Sequence, residues 1–462
     1  MARICYTSAM EESGIKHLGT RAREVSRHLA LLSTAAKNEI ILMIADSLEE
    51  QASAIVAANK RDMEEGEERG LSSGLLDRLL LTEERIAAIA ASARKVAMLD
   101  DPVGKVLESR TLDNNLLVQR VRVPLGVIAM IYEARPNVTV DASVLALKSG
   151  NAVILKGGSD ALHSNQALVR LIQKVLREAT GTEPETHLEN AVQLVETKER
   201  EATAELLTMR EYIDVVIPRG SAGLISFVRD NATIPVIETG ASVVHTYIHS
   251  DADLGKAVPI ILNEKLRRVS VCNTLDTLLI NRAIAPQLLE ALVKALPSNP
   301  YNAPSLQLRA DAESYTLIEK ALEARDLETN AKDGGDHDEA EFNLELQKAT
   351  GDDYSTEFLD YVLAIKQVAD LDEALEHIRT HSLRHSEAII TEDEQTARRF
   401  LNEVDAACVY WNASTQFTDG EQLGLGAEIG ISTQKLHVRG PFALEGLTSY
   451  KWIIQGGGQI RP

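Results

Sequence analysis

A lone cysteine stands in the stretch RRVSVCNTLDTLLI, residues 267–280. Two arginines precede it, and an apolar run that reads as a buried strand follows. Two chemistries fit. Free cysteine is among the most buried residue types, so Cys272 can be an inert core thiol. It can also be a nucleophile. An ordinary thiol, with a pKa of about 8.5, is only a few per cent thiolate at neutral pH, and Arg267 and Arg268 folded back onto it would raise that fraction. The other cysteines are weaker candidates: Cys5 lies in a terminal segment, and Cys408 sits in an apolar strand with no charge beside it after Asp405.

Other polar residues fall at places where a strand gives way to a helix. The segment YEARPNVTVDAS (132–143) holds Glu133, Arg135 and Asn137. Asn137 there is either a helix cap or an amide that donates to an oxyanion. KGGSDA (156–161) and PRGSAG (218–223) are glycine turns. Each is either a plain connection or a phosphate seat, because free N–H groups and the positive dipole end gather at a helix start. In the second case Lys156 meets a nucleotide phosphate or ribose. Neither turn is a GxGxxG fingerprint, and no GxxxxGK[ST] occurs. His377, His381 and His385 are spaced by four, as helical metal ligands can be. Ser382-Leu383-Arg384 breaks the helical pattern and no HExxH is present, so no metal is expected. The acidic stretch 331–353 has no DxDxDG, which argues against a calcium loop.

These groups need a scaffold, and the pattern of the chain supplies one. Residues 14–98 read as helices, with Ala, Leu and Ile recurring among Glu, Lys and Arg. LLVQRVRVPLGVIAMI (116–131) reads as strands. A helix is expected from Asp141 to Lys148, closed by Ser149-Gly150-Asn151. AVILK (152–156), a glycine turn, and a helix through Leu168, Leu171, Ile172, Val175 and Leu176 follow. The same grammar recurs in YIDVVIP (212–218), PRGSAG, LISFVRD (224–230) and TIPVI (233–237). Strand, glycine turn, helix, strand marks an α/β protein with a parallel sheet, of dinucleotide-binding type. A helix over Leu254–Leu262 precedes the Cys272 segment. Residues 331–353 read as a surface loop with a short strand, 359–365 and 406–411 as strands, and YKWIIQGGGQI (450–460) as strand on both sides of three glycines.

The 462 residues suggest about three domains. The formal charge of -21 argues against nucleic acid and an anionic membrane surface as partners, though a local basic pocket can still take a small anion. No apolar run approaches the ~20 residues of a membrane helix. Three widely spaced cysteines fit a reducing compartment, and no secretory signal is read, so the cytoplasm is expected.

Five stretches carry a resemblance. They are VPLGVIAMIYEARPNVTVDASVLALKSGNAVILKGGSDA, IDVVIPRGSAGLI, VCNTLDTLLI, STEFLDYVLAI and the segment from NASTQFTDG through GLGAEIGISTQKLHVRGP to the end. Together, from about Asn59 onward, they resemble the gamma-glutamyl phosphate reductases, or glutamate-5-semialdehyde dehydrogenases, of the aldehyde dehydrogenase superfamily. The resemblance implies an aldehyde-dehydrogenase-like α/β fold. A Rossmann-type cofactor domain would span 1–107 and 126–250, and a catalytic α/β domain 251–412. Residues 413–439 would return to the cofactor domain, and 108–125 with 440–462 would form a small β oligomerisation element. By resemblance, Cys272 is the nucleophile and Asn137 the oxyanion amide. Lys156, Gly157, Ser159, Arg219, Gly220, Ser221 and Glu357 are cofactor contacts. Arg135, Lys435, His437 and Arg439 are substrate contacts. The implied cofactor is NADPH/NADP, which a cation at Lys156 suits.

The implied reaction reduces L-glutamyl 5-phosphate to L-glutamate 5-semialdehyde in proline biosynthesis. The alternative is a hydrolytic, NAD(P)-dependent aldehyde dehydrogenase, with Glu238 close to where its base would fall. A silent scaffold that keeps the fold is a further alternative, against which stands the joint presence of Cys272, Asn137, Lys156 and Glu357. A homodimer or dimer of dimers is implied, with a glutamate kinase as a further candidate partner. Three stretches depart from the common pattern: GASVVHTYI (240–248) lacks a mid-segment glycine, NEKLRRVSVCN is bulkier and more basic, and HSLRHSEAI replaces a glycine-bearing turn.

Overall fold

The computed structural model describes residues 14–133, 135–179, 186–332 and 342–461. Cys5 and part of the acidic stretch lie outside them. Five helices between Gly14 and Met98 open the chain, as their periodicity predicts. A hairpin follows, β1 (Val106–Thr111) with β2 (Leu117–Pro124).

Next come β3 (Val127–Tyr132), β4 (Ala152–Gly157), β5 (Val192–Leu194) and β6 (Val215–Arg219). They form a parallel sheet in the order β5-β4-β3-β6. Every residue of β3 and β4 is buried, because helices cover both faces of a parallel sheet. The order reverses between β3 and β6, so their carboxyl ends open the crevice where such sheets take ligands. TIPVI contributes only a single bridge, Val236 to Val216. Pro235 lacks the N–H that a full ladder needs.

The helix between β3 and β4 spans Pro136–Lys148, five residues earlier at its start than the apolar pattern suggests. Pro136 fits the first turn, where its missing N–H costs nothing, and Arg135 before it is extended, at φ −145°.

The second half builds β7 (Val244–Ile248), β8 (Leu275–Asn281), β9 (Ser305–Ala310), β10 (Asn343–Lys348), β11 (Val362–Val368), β12 (Ser386–Ile390) and β13 (Cys408–Trp411). Their order is β10-β9-β11-β8-β7-β12-β13, all parallel. The acidic stretch is therefore a strand from Asn343, where Leu344 and Leu346 alternate with polar residues against β9. Cys272 lies just before β8, after the helix Leu254–Leu266.

A two-stranded pair, β14 (Gly430–Ser432) and β15 (Gly440–Phe442), precedes the last strand, β16 (Thr448–Gln455). That strand pairs antiparallel with β2 along its whole length, which gives a three-stranded sheet apart from the two cores. The tail is strand on one side of its glycines only. Beyond Gln455 the chain turns through Gly456–Gly458, and Gln459 donates to the Asn114 carbonyl at 2.9 Å. No helix among the described residues is long and apolar enough to cross a membrane.

Candidate active site

Cys272 sits on a short loop at the amino end of β8, and its neighbours fix it firmly. The Thr274 hydroxyl donates to the Arg268 carbonyl at 2.7 Å. The Asn273 amide donates to the carbonyls of Thr418 at 3.0 Å and Gln416 at 3.3 Å. The Thr415 hydroxyl returns a bond to the Asn273 carbonyl at 2.7 Å. Asp276, buried on β8, accepts from the N–H of Val244 at 3.0 Å and of Phe358 at 3.1 Å. One carboxylate thus ties the start of β7, the start of β8 and the residue beside Glu357. Burial pushes its pKa up to about 6.

Glu357 is drawn to the nucleophile through Ser242. The Ser242 hydroxyl contacts both the Cys272 carbonyl oxygen and Glu357 Oε1, the latter at 3.0 Å.

The thiol is not activated by Arg267 and Arg268. Arg267 donates to Gln416 Oε1 at 3.1 Å, and the charge of Arg268 acts on Arg135. The Cys272 side chain is half-buried, and its desolvation, then the negative charges of Glu428 and Glu357, push its pKa up to about 12, against a pull from Arg219. Burial raises the Cys408 thiol as well.

Arg219 joins the two halves. At the carboxyl end of β6, it donates to the Ile429 carbonyl at 2.6 Å. Its charge reaches Cys272, Glu428, Asp141 and Arg135. The carboxyl ends of the four-stranded sheet therefore face the amino ends of the seven-stranded one, with the thiol between them. Asn137 lies in the first turn of its helix and does not cap it. Its amide donates to Asp141 at 3.0 Å, which leaves its second N–H unengaged. Desolvation and the nearby charges of Arg219, Arg78 and Arg268 lower the pKa of Arg135.

Lys156 is 8% exposed, and burial lowers its pKa. Its ammonium donates to the Gly157 carbonyl at 3.3 Å and, among the described residues, pairs with no carboxylate. Gly157 has no room for a side chain: an added Cβ would lie 2.2 Å from the Asn165 amide nitrogen. Ser159 opens the short turn Ser159–Ala161. At the other turn, Ser221 caps the helix Ala222–Asn231. Its N–H and hydroxyl donate to Glu133 at 2.9 and 2.6 Å. A carboxylate thus stands where the sequence pattern suggests a phosphate. Gly220 allows this approach, since a Cβ there would lie 2.7 Å from the Glu133 carboxyl carbon.

The remaining candidates lie elsewhere. Lys435 and Arg439 both pair with Asp405 at 2.8 Å, and His437 contacts the Gly446 carbonyl at 3.0 Å. None of the three is among the charges that move the Cys272 pKa. Glu238 accepts from Gln434 at 3.2 Å and faces Arg229 at 3.8 Å. His377 and His381 stack at 4.3 Å on one helix, while His385 lies beyond its end. Among the described residues no group of three or more His, Cys, Asp or Glu could hold a metal.

The sequence reading missed Ser242, Asp276 and Glu428. Glu428 lies in the GLGAEIGIST motif, but only the fold shows which residue it approaches.

The aldehyde dehydrogenase family profile matches residues 2–325. Gamma-glutamyl phosphate reductase of Moorella thermoacetica is 50% identical over 96% of this chain and 97% of its own. The chain belongs to the gamma-glutamyl phosphate reductase branch of the aldehyde dehydrogenase family. The enzyme of that name from Carboxydothermus hydrogenoformans is 47% identical over 97% of this chain and 99% of its own. The crystal structure of the Thermotoga maritima enzyme has a TM-score of 0.87 at 42% identity, covering 97% of this chain and all of that one. An acetylating aldehyde dehydrogenase from Geobacillus thermoglucosidasius, 17% identical with a TM-score of 0.64, shares the fold.

Proposed function

We propose that the chain reduces L-glutamyl 5-phosphate to L-glutamate 5-semialdehyde with release of phosphate, through a thioester on Cys272. The observation that supports the reading is the tie of Cys272 to Glu357 through the Ser242 hydroxyl at the amino end of β8, in a chain 50% identical to the Moorella thermoacetica gamma-glutamyl phosphate reductase. The residues fit a dinucleotide phosphate. Lys156 is a buried cation with no carboxylate partner among the described residues, and the Ala222–Asn231 helix start already holds an anion, Glu133. NADPH, once bound, supplies the hydride. Lys156, Gly157, Ser159, Arg219, Gly220, Ser221 and Glu357 would hold it, with Glu133 giving way at Ser221.

The chain's own groups do the rest. The sulfur of Cys272 attacks the acyl carbon. The free N–H of Asn137 and the Cys272 backbone N–H hold the developing oxyanion, at roughly 3–4 kcal/mol per donor in known cases. Phosphate leaves without a strong acid. Arg135, among a set of arginines that repel one another, is the substrate's anion contact. Lys435, His437 and Arg439 reach substrate only by leaving Asp405 and Gly446.

The hydrolytic alternative needs a base to activate water on the thioester, and Glu238 is tied to Gln434 instead. The test is the reverse reaction: semialdehyde in equilibrium with pyrroline-5-carboxylate, NADP and phosphate. NADPH should form only with phosphate present. Formation without phosphate, or a loss beyond ~100-fold in Glu238→Gln, would favour the hydrolytic enzyme.

We assign the three-stranded sheet to subunit pairing, in a homodimer or dimer of dimers. On β16, Tyr450, Trp452 and Ile454 share one face and are 51%, 44% and 59% exposed. Arg120 lies 5.0 Å from the Tyr450 ring, a polar rim for an apolar patch.

A further inference from the structure

We propose that Thr418 is a positioning residue for the nucleophile: its hydroxyl fixes the turn that holds Asn273, and through Asn273 it sets where the Cys272 sulfur stands. The inference rests on the reading of Cys272 as the nucleophile. It requires no direct contact between Thr418 and the sulfur.

The chain around the thiol is open to solvent on its leading side. Arg267 and Arg268 are exposed, and Val271 and Cys272 are half-buried. Asn273 is the first buried residue after them. Its amide donates to the carbonyls of Gln416 and Thr418 at 3.3 and 3.0 Å, and its own carbonyl accepts from the Thr415 hydroxyl at 2.7 Å. The place of the thiol therefore follows that of the turn Thr415–Phe417 and of Thr418 beyond it.

The two ends of this turn sit on different elements. At its start, the Ser414 hydroxyl donates to Asn263 at 2.6 Å and the Thr415 N–H to Glu264 at 2.9 Å. Both acceptors belong to the helix Leu254–Leu266, which leads into the nucleophile loop. At its end stands Thr418, which is buried. The Thr418 hydroxyl lies 2.7 Å from Ser386 Oγ, at the start of β12, and 2.8 Å from the Tyr410 hydroxyl on β13. Ser386 is held in turn by His385 Nδ1 at 2.8 Å.

The second seat depends on the hydroxyl. It offers one hydrogen and two lone pairs, so it can serve Ser386 and Tyr410 at once. A valine would fill nearly the same space and serve neither. The Thr418 N–H would still donate to the Thr415 carbonyl at 2.9 Å, but that bond ties the turn to itself and not to the sheet. The carbonyls that grip Asn273 would then belong to a turn seated at one end. Attack on the acyl carbon is sensitive to such a change, since a misplacement of about 1 Å can cost ~100-fold in rate. The dinucleotide contacts assigned at Lys156 and Ser221 lie at the other sheet and do not pass through this turn.

The test measures kcat in the reverse reaction, NADP affinity by titration and Tm, in full-length Thr418→Val, Thr418→Ser and Tyr410→Phe. Thr418→Val should lose ~30-fold or more in kcat, within the range of a misplacement below about 1 Å, with NADP affinity unchanged. Thr418→Ser keeps the hydroxyl and should recover most of the rate, and Tyr410→Phe, which removes one of two partners, should fall part-way. An undiminished kcat in Thr418→Val, with or without a lowered Tm, would overturn the proposal. So would a joint fall of kcat and NADP affinity, which marks general loosening, or a Thr418→Ser as slow as Thr418→Val, which marks packing of the methyl group. If Thr418→Val does not fold, Tyr410→Phe decides: a lower kcat at unchanged NADP affinity supports the role, and an unchanged kcat refutes it. The nucleophile is tested separately. Full activity in Cys272→Ser sinks that reading, whereas an inactive Cys272→Ser beside a fully active Thr418→Val sinks only the role of Thr418.

Discussion

The cofactor-free thiol should be nearly silent at neutral pH. Burial, with Glu428 and Glu357 close by, moves Cys272 from an ordinary 9.0 to about 12. At pH 7.5 the thiolate fraction then falls from about 3 in 100 to about 3 in 100,000, a thousandfold loss. A more basic thiolate is also a better nucleophile, and a Brønsted slope of roughly 0.4–0.5 returns ~20-fold of that. The net expectation is alkylation by iodoacetamide ~50-fold slower than at an exposed thiol. The rate should climb tenfold per pH unit, with no levelling up to pH 10. The assay follows the Cys272 and Cys408 peptides by mass spectrometry, in native protein, from pH 6.5 to 10. A Cys272 rate that reaches a plateau below pH 9 would show a thiolate stabilised by the fold and refute the reasoning.

Glu133→Gln removes a charge from the donors of Ser221 and should tighten NADPH binding several-fold in a titration; weaker binding would mean that Glu133 shapes the seat and does not compete for it. His377 and His385 are held neutral by burial, with pKa values pushed down to about 2 and about 4. The unfolded chain takes up both protons as pH falls below about 6.5 and the folded chain does not, so their stabilising contribution is full above that pH and drains away toward pH 4. Tm should fall over that window, and His377→Gln should flatten the slope; an unchanged slope would discount His377. Trp452→Glu should weaken subunit association at least tenfold by light scattering, and an unaltered mass would exclude the β16 face from the interface.

Much of this was legible along the chain because it is local. Strand, glycine turn and helix recur around Lys156 and Ser221, and β3, β4 and β8 are the apolar runs that two-sided burial demands. The departures have physical causes. The helix before β4 starts at Pro136, where β-branched residues weaken the periodic signal that proline at a first turn still gives. The strand at Asn343 is polar on one face because it lies at the edge of its sheet. Arg267 and Arg268 stand beside Cys272 in sequence, yet their charges point elsewhere. Those that act on the thiol come from Glu357, Glu428 and Arg219, distant segments that no local pattern connects to it.

The clamp on Asn273 reaches forward to Thr415 and Thr418, 142 and 145 residues later in the chain, and the bond from Arg219 spans 210 residues to Ile429. During synthesis from the amino terminus, the nucleophile's loop and the four-stranded sheet emerge long before the segment that completes their junction, which follows directly on β13, the last strand of the seven-stranded sheet. Loop closures of this length come late, after local contacts have formed. A nascent chain therefore carries a nucleophile loop that still lacks its anchors at Thr415 and Thr418. The thiol takes its final setting only when the last tenth of the polypeptide has docked, which also supplies β14, β15 and β16.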